Sequence, residues 1–208
     1  MRSRFSLLVI GVLCLFVASS QWYRDHGGQL IPPSQSEQLA ALLSAYAGVA
    51  SQLDTVSETA GCTIVGPLPD HACTPGAVFA EATPDIICVS GYSASVRSVS
   101  VGLKKKIYAA YDIAYPEARG SYELDHLIPL ELGGSNEAAN LFPEAAQPLP
   151  GFHEKDLVED YLHEEVCAGR VDLAAAQKQI ATNWLPVYNL LSPTQILQLK
   201  QKYKSWAN

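Results

Sequence analysis

Residues 122–142, YELDHLIPLELGGSNEAANLF, restrict the fold more than any other part of the sequence. Two short apolar runs flank the segment LGGSN, in which adjacent glycines can adopt the positive φ angles that tight loops require. The pattern predicts a strand, a loop and a second strand that begins at Asn140. The first strand contains two neighbouring ionisable residues, Asp125 and His126, whose burial without partners would cost free energy.

Adjacent residues of a regular strand point to opposite faces of the sheet. Asp125 and His126 therefore cannot both face one solvent-filled cavity unless a bend or bulge near Pro129 brings them together. After a proline-rich loop, the segment HEKDLVEDYLHEEVCAG predicts a helix that opens with His153 and stops at Gly169.

This order of Asp-His on a strand, a Gly-Gly loop, Asn on the next strand and a helix opening with His resembles the HNH endonuclease family, whose site is a ββα-metal hairpin and helix. The matching string is DHLIPLELGGSNEAANL, with HEKD after it. The segment is most similar to a bacterial exported group in which the HNH unit ends in a KDxxExxLHxxVCxG helix, here Lys155 to Gly169. The resemblance extends over residues 73–188 and is densest at 121–169.

The resemblance implies a role for four residues. Asp125 and His153 would be ligands of a divalent metal ion. His126 would be the general base that takes a proton from the attacking water, and Asn140 would hold the hairpin loop and help to orient that base. Many family members have a further His or Asn one helical turn after the last His, where this chain has Leu157. The metal would then have only two protein ligands.

The chemistry of phosphodiester hydrolysis favours the same division of roles. An imidazole, with an ordinary pKa of about 6.5, can accept a proton from water near neutral pH. One divalent cation can stabilise the charge on the phosphoryl and leaving oxygens. Mg²⁺ or Mn²⁺ is the expected ion, and Zn²⁺ or Ni²⁺ are alternatives, because a carboxylate and an imidazole accept both harder and softer cations. The predicted function is a metal-dependent endonuclease acting on DNA, with RNA as an alternative substrate.

The acidic composition restricts how such a protein could bind nucleic acid. The formal net charge is −7, whereas general nucleic-acid binders are usually basic. Phosphate binding would depend on a local patch, for which the sequence offers Arg97 with Lys104, Lys105 and Lys106; such a run is also typical of a solvent-exposed helix face. The acidic charge favours an alternative function, a non-catalytic exported domain that uses the ββα scaffold to bind a surface or envelope partner. An inhibitor protein is a further candidate partner, which no pattern in the sequence identifies.

The first twenty residues are predicted to be a secretory signal peptide. Arg2 and Arg4 precede the apolar run FSLLVIGVLCLFVA, and small residues, Ala18 and Ser20, occupy the −3 and −1 positions. A transmembrane anchor is the less favoured alternative, because the run is shorter than the roughly 20 residues that a membrane span requires. The protein is expected to be secreted or periplasmic, without stable membrane insertion.

Four cysteines remain once Cys14 is removed with the signal peptide, and an even number in an oxidising compartment predicts two disulfides. Sequence alone does not choose among the three pairings. The preferred pairing is Cys62–Cys73, which would close a short loop, with Cys88–Cys167, which would tie the early part of the domain to a late helix. A zinc site is not expected, because no two cysteines have CxxC spacing.

The fold class is expected to be α+β, with a ββα-metal hairpin-helix unit, a short disulfide-tied β region and surrounding helices. The expected domains are a signal peptide (1–20), a polar linker with an N-terminal helix (21–60), and an HNH-like nuclease domain with C-terminal helices (61–208).

Further local patterns predict the surrounding elements. Apolar spacing predicts a helix within residues 35–54, and the β-branched run at 86–101 predicts short strands. Asp172 is expected to cap a helix that continues to Tyr188, bent or ended near Pro186. The sequence SPTQ from Ser192 predicts a capping box and a last helix that runs to Trp206.

Overall fold

The computed structural model describes residues 33–47 and 56–203. The chain divides into two units, Met1–Ser36 and Glu37–Asn208, and nearly all the described residues belong to the second. The predicted signal peptide, most of the predicted linker and the end of the predicted last helix lie outside the described residues. Within the described part of the chain, every helix is too short or too polar to cross a membrane.

Helices make up most of the regular structure. In chain order they are α1 (Gln35–Ala47), α2 (Pro84–Ile87), α3 (Tyr92–Val96), α4 (Val101–Ala110), α5 (Phe152–Cys167), α6 (Leu173–Thr182), α7 (Leu185–Leu190) and α8 (Pro193–Lys202). The same described residues contain two antiparallel pairs of strands: β1 (Ile64–Val65) with β2 (Leu68–Pro69), and β3 (Tyr122–His126) with β4 (Leu141–Ala145). The expected α+β class is confirmed.

The predicted strand–loop–strand segment is the hairpin of β3 and β4. The register is continuous from the Tyr122–Ala145 pair to the His126–Leu141 pair. Its loop needs both glycines for different reasons: Gly133 has a φ of +78°, and a Cβ on Gly134 would lie 1.7 Å from the Ile128 carbonyl oxygen. Two 3₁₀ turns, Leu130–Leu132 and Ala138–Asn140, complete the connection.

Helix α5 follows the hairpin and buries one face in the core. Val158 and Leu162 on this face are fully buried, as is Trp184 from the segment between α6 and α7. The helix ends at Cys167, and Gly169 has the left-handed backbone, φ +71°, that the predicted stop signal requires. This packing fixes the helix that follows the hairpin.

The predicted helix starts near the C-terminus are confirmed. The Asp172 side chain accepts a hydrogen bond from the Ala175 amide at 2.9 Å, so it caps α6. Ser192 and Gln195 form the predicted capping box at the start of α8. The helix predicted to continue to Tyr188 is divided instead, since α6 ends at Thr182 and α7 begins at Leu185.

The short strands predicted within 86–101 are wrong, because this segment contains α2, α3 and the start of α4. Pro84 occupies the first turn of α2, where its fixed φ and missing N–H suit a helix start. Gly91 has a φ of +85° and immediately precedes α3. These local signals outweigh the β-branched composition on which the strand prediction depended.

The preferred disulfide pairing is confirmed. Cys62–Cys73 joins the two sides of the β1–β2 region. Cys88–Cys167 connects the residue that follows α2 to the last residue of α5. The second bond therefore ties the segment that leads into α3 to the far end of the helix that follows the hairpin.

Candidate functional site

A cleft of about 180 Å³ opens where β3, the loop after it, α3 and the first half of α5 meet. We call it the acidic cleft, because six of its lining side chains are carboxylic acids and only two are basic groups. The acids are Glu123, Asp125, Glu131, Asp156, Glu159 and Asp160, and the basic groups are Arg97 and His153. The acidic cleft contains both expected metal ligands, Asp125 and His153.

The Asp125 carboxylate is held on both oxygens. Its Oδ1 accepts a hydrogen bond from the His126 amide at 2.8 Å. Its Oδ2 lies 2.6 Å from the Nζ of Lys155, which reaches across from α5. The Asp125 side chain keeps 15% of its surface exposed. Because a carboxylate oxygen has two lone pairs, each oxygen can still accept a further partner.

Lys155 is completely buried beneath the cleft. Its ammonium group donates to Asp125, to the His126 carbonyl oxygen at 2.8 Å and to Glu159, which uses all three of its donors. The buried carboxyl group of Glu144 lies 4.0 Å away. Burial alone would lower the pKa of Lys155, but the neighbouring carboxylates hold that pKa well above its usual range.

One buried ammonium therefore faces three carboxyl groups. Burial would raise the pKa of Asp125, but Lys155 outweighs it and the pKa is lowered. Burial raises the pKa of both Glu144 and Glu159 well above the usual range, and Lys155 opposes that rise only in part. Asp125 is therefore the ionised partner of Lys155.

The carboxylic acids around the cleft raise one another's pKa values. Burial and then Asp125 raise the pKa of Glu123 to about 8 and that of Asp156 to about 7. Burial is also the main cause for Glu131, with a pKa of about 7, and for Asp160, with a pKa of about 8. The cleft thus contains more carboxyl groups than Arg97 and Lys155 can pair with, and several of these groups keep a proton near neutral pH.

His126 packs on the other side of the strand from the cleft. Its Nε2 lies 3.1 Å from Asn136 Oδ1, and Asn136 donates through Nδ2 to the Val96 carbonyl at 2.7 Å. Since this second bond fixes the orientation of the amide, Nε2 must be the donor and Nδ1 carries the lone pair. Burial lowers the pKa of His126, so the ring is neutral at neutral pH.

The bend expected near Pro129 does not bring the Asp-His pair together. The regular register of β3 sends Asp125 toward the cleft, whereas His126 is only 3% exposed and is absent from the cleft lining. The two side chains obey the strand alternation that the sequence indicated.

Asn140 ties the hairpin loop together. Its Nδ2 donates to the carbonyl oxygens of Ile128 at 2.8 Å and Ser135 at 2.9 Å. Its Oδ1 accepts from the Ile128 amide at 2.9 Å. Asn140 therefore has the contacts of a loop-holding residue, while the contact with the imidazole belongs to Asn136, which the sequence reasoning missed.

His153 lies in the first turn of α5 and lines the acidic cleft with Asp125. Its side chain is 58% exposed, and its Nδ1 is 3.9 Å from Asp156 Oδ2. Joint binding of one ion by Asp125 and His153 stays a prediction.

Two groups of three potential ligands have donor atoms within 4.8 Å of one another in the described part of the chain. They are Cys88, His163 and Cys167, and Glu58, Asp70 and Cys73. Both groups lie outside the acidic cleft. Each includes sulfur from a disulfide, which is not the thiolate that binds metal ions.

The predicted basic patch is divided between two places. Arg97, at the end of α3, lines the acidic cleft, whereas the lysines of α4 do not. The Nζ of Lys104 lies 5.6 Å from the ring centroids of Tyr108 and Tyr115, and 3.7 Å from Glu117. Lys105 and Lys106 are exposed.

Sequence reasoning also missed the pair formed by the buried Lys155 and the partly buried Glu159. Lys155 and Glu159 are the first and last residues of the KDLVE string, and their i, i+4 spacing places both on one helix face. Asp156 directly follows Lys155 in the sequence. This spacing was an available signal, although it usually marks a solvent-exposed pair.

Comparison of the chain with family models, curated proteins and solved structures finds no match. The similarity to HNH endonucleases therefore stays a prediction based on the residues quoted above.

Proposed function

We propose that the chain is an HNH-type metal-dependent endonuclease that hydrolyses phosphodiester bonds of DNA at the acidic cleft. The observation that supports this function is the meeting of Asp125, from β3, and His153, from α5, in one cleft. These are the two residues for which the resemblance implies metal ligation. The hairpin, its Gly-Gly loop and the following helix occur in the order expected of a ββα unit.

The donors around the cleft suit a divalent cation. Carboxylate oxygens are the ligands that Mg²⁺ and Mn²⁺ prefer, and an imidazole also accepts Zn²⁺ or Ni²⁺. Glu131 Oε1 is buried and has no hydrogen-bond partner among the described residues, so an acceptor in the cleft lining is left unsatisfied. Asp125 and His153 would hold the ion, which would stabilise charge on the phosphoryl and leaving oxygens.

The residues around Asp125 supply orientation. Lys155 and the His126 amide hold the Asp125 carboxylate from opposite ends, so little reorganisation is required of it during the reaction. Asn140 fixes the loop behind it through three hydrogen bonds of 2.8 to 2.9 Å.

His126 is suited to accept a proton from water, because its ring is neutral and the contact with Asn136 leaves the Nδ1 lone pair as the acceptor. The ring is 3% exposed and faces away from the cleft, so this role requires the imidazole and the loop that carries Asn136 to change position when substrate binds. Arg97 can contact a phosphate with its planar guanidinium group.

Export to the periplasm or the medium belongs to the same proposal. Two disulfides support it, because such bonds persist in oxidising compartments.

The test is cleavage of supercoiled plasmid by the purified mature chain with Mg²⁺ or Mn²⁺, and with EDTA as the metal-free arm. We expect nicking that depends on the metal and is lost in Asp125→Ala. Asp85→Ala is the matched control, since Asp85 is an exposed acid outside the cleft. Absence of cleavage with both metals, or equal cleavage by Asp125→Ala, would contradict the proposal.

A non-catalytic scaffold is the second candidate. The observations that favour it are the Lys155 ammonium, which already partners Asp125, and the burial of His126. Such an exported domain would bind a surface or envelope partner. It would cleave no plasmid, and Mg²⁺ or Mn²⁺ would leave its midpoint of thermal unfolding unchanged.

A further inference from the structure

Three potential metal-ligating residues meet at the C-terminal end of α5, outside the acidic cleft. They are Cys88, His163 and Cys167. His163 follows His153 by ten residues, so the two lie about 15 Å apart along the helix axis. This group takes no part in the proposed nuclease mechanism.

Helix geometry and the disulfide place the three side chains together. His163 and Cys167 are four residues apart on α5 and share one face. The Nε2 of His163 lies 3.3 Å from the Sγ of Cys167. The disulfide brings Cys88 to the same point, with 5.6 Å between the Cα atoms of Cys88 and Cys167.

The oxidation state decides what this group can bind. In the disulfide the sulfurs are bonded to each other and neither is a thiolate. A two-electron reductant, such as a dithiol, donates two electrons and two protons to the bond and is itself oxidised to a disulfide. Two thiolates and an imidazole then form a donor set typical of zinc sites, in which the cation displaces the thiol protons.

The observed distances are close to those of such a site. With Zn–S bonds of about 2.3 Å and Zn–N bonds of about 2.0–2.1 Å, tetrahedral coordination places N and S about 3.5 Å apart and the two sulfurs about 3.8 Å apart. The existing N–S distance of 3.3 Å requires little change. The two sulfurs must separate by roughly 2 Å, which side-chain rotation in an exposed segment can supply.

Access and competing contacts also permit binding. Cys167 is exposed, so a reductant and an ion can approach from solvent. The other contact of His163 Nε2, with the Ile87 carbonyl oxygen, is 3.3 Å long and therefore weak. A water molecule can occupy the fourth position.

We propose that the Cys88–Cys167 disulfide blocks a metal site, and that after reduction Cys88, His163 and Cys167 bind a zinc-like divalent cation. Reduction thus replaces the covalent tie between α5 and the segment after α2 by a tie through the ion.

The experiment titrates the mature chain with Co²⁺, a spectroscopic substitute for Zn²⁺, before and after reduction. A water-soluble phosphine is the reductant, because it converts the disulfide and a water molecule into two thiols and phosphine oxide and leaves no competing thiol. We expect thiolate-to-cobalt absorption with one equivalent of Co²⁺ in the reduced protein, its absence in the oxidised protein, and its loss when Zn²⁺ is added.

Two histidine variants identify the site. His163→Ala removes one of three protein ligands and should weaken Co²⁺ binding by at least about tenfold. His71→Ala is the matched control, because His71 is exposed and lies two residues from Cys73, in the other disulfide. It should bind as the unaltered protein does. Circular dichroism follows the fold of each reduced protein.

Two results would overturn the proposal. The first is a reduced protein with no thiolate-to-cobalt absorption. The second is equal binding by His163→Ala and His71→Ala, which would assign the ion to the other thiols or to an unfolded chain.

Discussion

Replacement of Lys155 by methionine tests the electrostatics beneath the acidic cleft. Methionine keeps most of the length of the side chain and removes its charge. The ammonium is fully buried, 2.6 Å from Asp125 and 2.8 Å from the His126 carbonyl oxygen, and it also bonds Glu159. Its removal leaves the largely buried Asp125 carboxylate without its ionic partner. Loss of one partner of a buried ion pair typically costs about 3–5 kcal/mol, so the free energy of unfolding should fall by that amount at pH 8.

The loss should be smaller at pH 5. Lys155 is what holds the pKa of Asp125 below its usual range; without it, burial raises that pKa. Asp125 can then take up a proton at the lower pH, which removes the unpaired charge. Above its new pKa the carboxylate is ionised, and the full cost returns.

Urea denaturation at pH 5 and pH 8, followed by circular dichroism, measures both effects. Lys105→Met is the matched control, because Lys105 is exposed on α4 and its replacement should change the free energy of unfolding by no more than about 0.5 kcal/mol. A Lys155→Met protein as stable as Lys105→Met at pH 8 would refute the reasoning.

Three further predictions concern the hairpin and the cleft. Four of the cleft carboxyl groups have pKa values of about 7 or about 8, so near these pH values they hold protons that the unfolded chain has released. The free energy of unfolding of the metal-free protein, measured in urea, should therefore fall as the pH rises from about 4 to about 8, and an increase would contradict this. Asn140→Ala leaves buried loop groups without partners and should lower the free energy of unfolding by at least about 2 kcal/mol. Asn189 is exposed, so Asn189→Ala should not have this effect, and equal urea midpoints for the two variants would exclude the loop-holding role. Arg97→Ala should weaken DNA binding and reduce the salt dependence of that binding in a fluorescence anisotropy titration. Arg119 is also exposed but lies outside the cleft, so Arg119→Ala should bind DNA as the unaltered protein does; unchanged binding by Arg97→Ala would show that Arg97 does not contact DNA.

Local signals predicted those parts of the fold that depend on neighbouring residues. Asp172 and Ser192 cap their helices through side-chain contacts three residues away, and Gly169 supplies the left-handed residue after α5. Both partners of each interaction lie within one helical turn of each other, so the local sequence is sufficient to predict where these helices begin and end. The strands expected within 86–101 were wrong because Pro84 and Gly91 direct the backbone more strongly than β-branched composition does.

Only those parts of the candidate site that depend on the order of strands and loops along the chain could be predicted from the sequence. The hairpin and its Gly-Gly loop were indicated by pattern, but Asn140 ends the 3₁₀ turn before β4 and does not begin the strand. The burial of Lys155 was not, because a lysine on a helix is usually solvent-exposed and its environment here depends on the approach of Asp125 from another element. Likewise, the absence of CxxC spacing says nothing about Cys88 and His163, which only the fold brings together.

The most direct test of the nuclease account compares His126→Ala and Asp125→Ala in plasmid cleavage over a Mn²⁺ titration. Removal of a general base typically lowers the rate about 10²–10⁴-fold, so the cleavage rate of His126→Ala should fall by that factor. The Mn²⁺ concentration required for half-maximal activity should stay the same. Asp125→Ala should lose metal binding and activity together. If both variants lose metal binding equally, His126 is a ligand and not the base; if neither loses cleavage, the account of the acidic cleft as a nuclease site is contradicted.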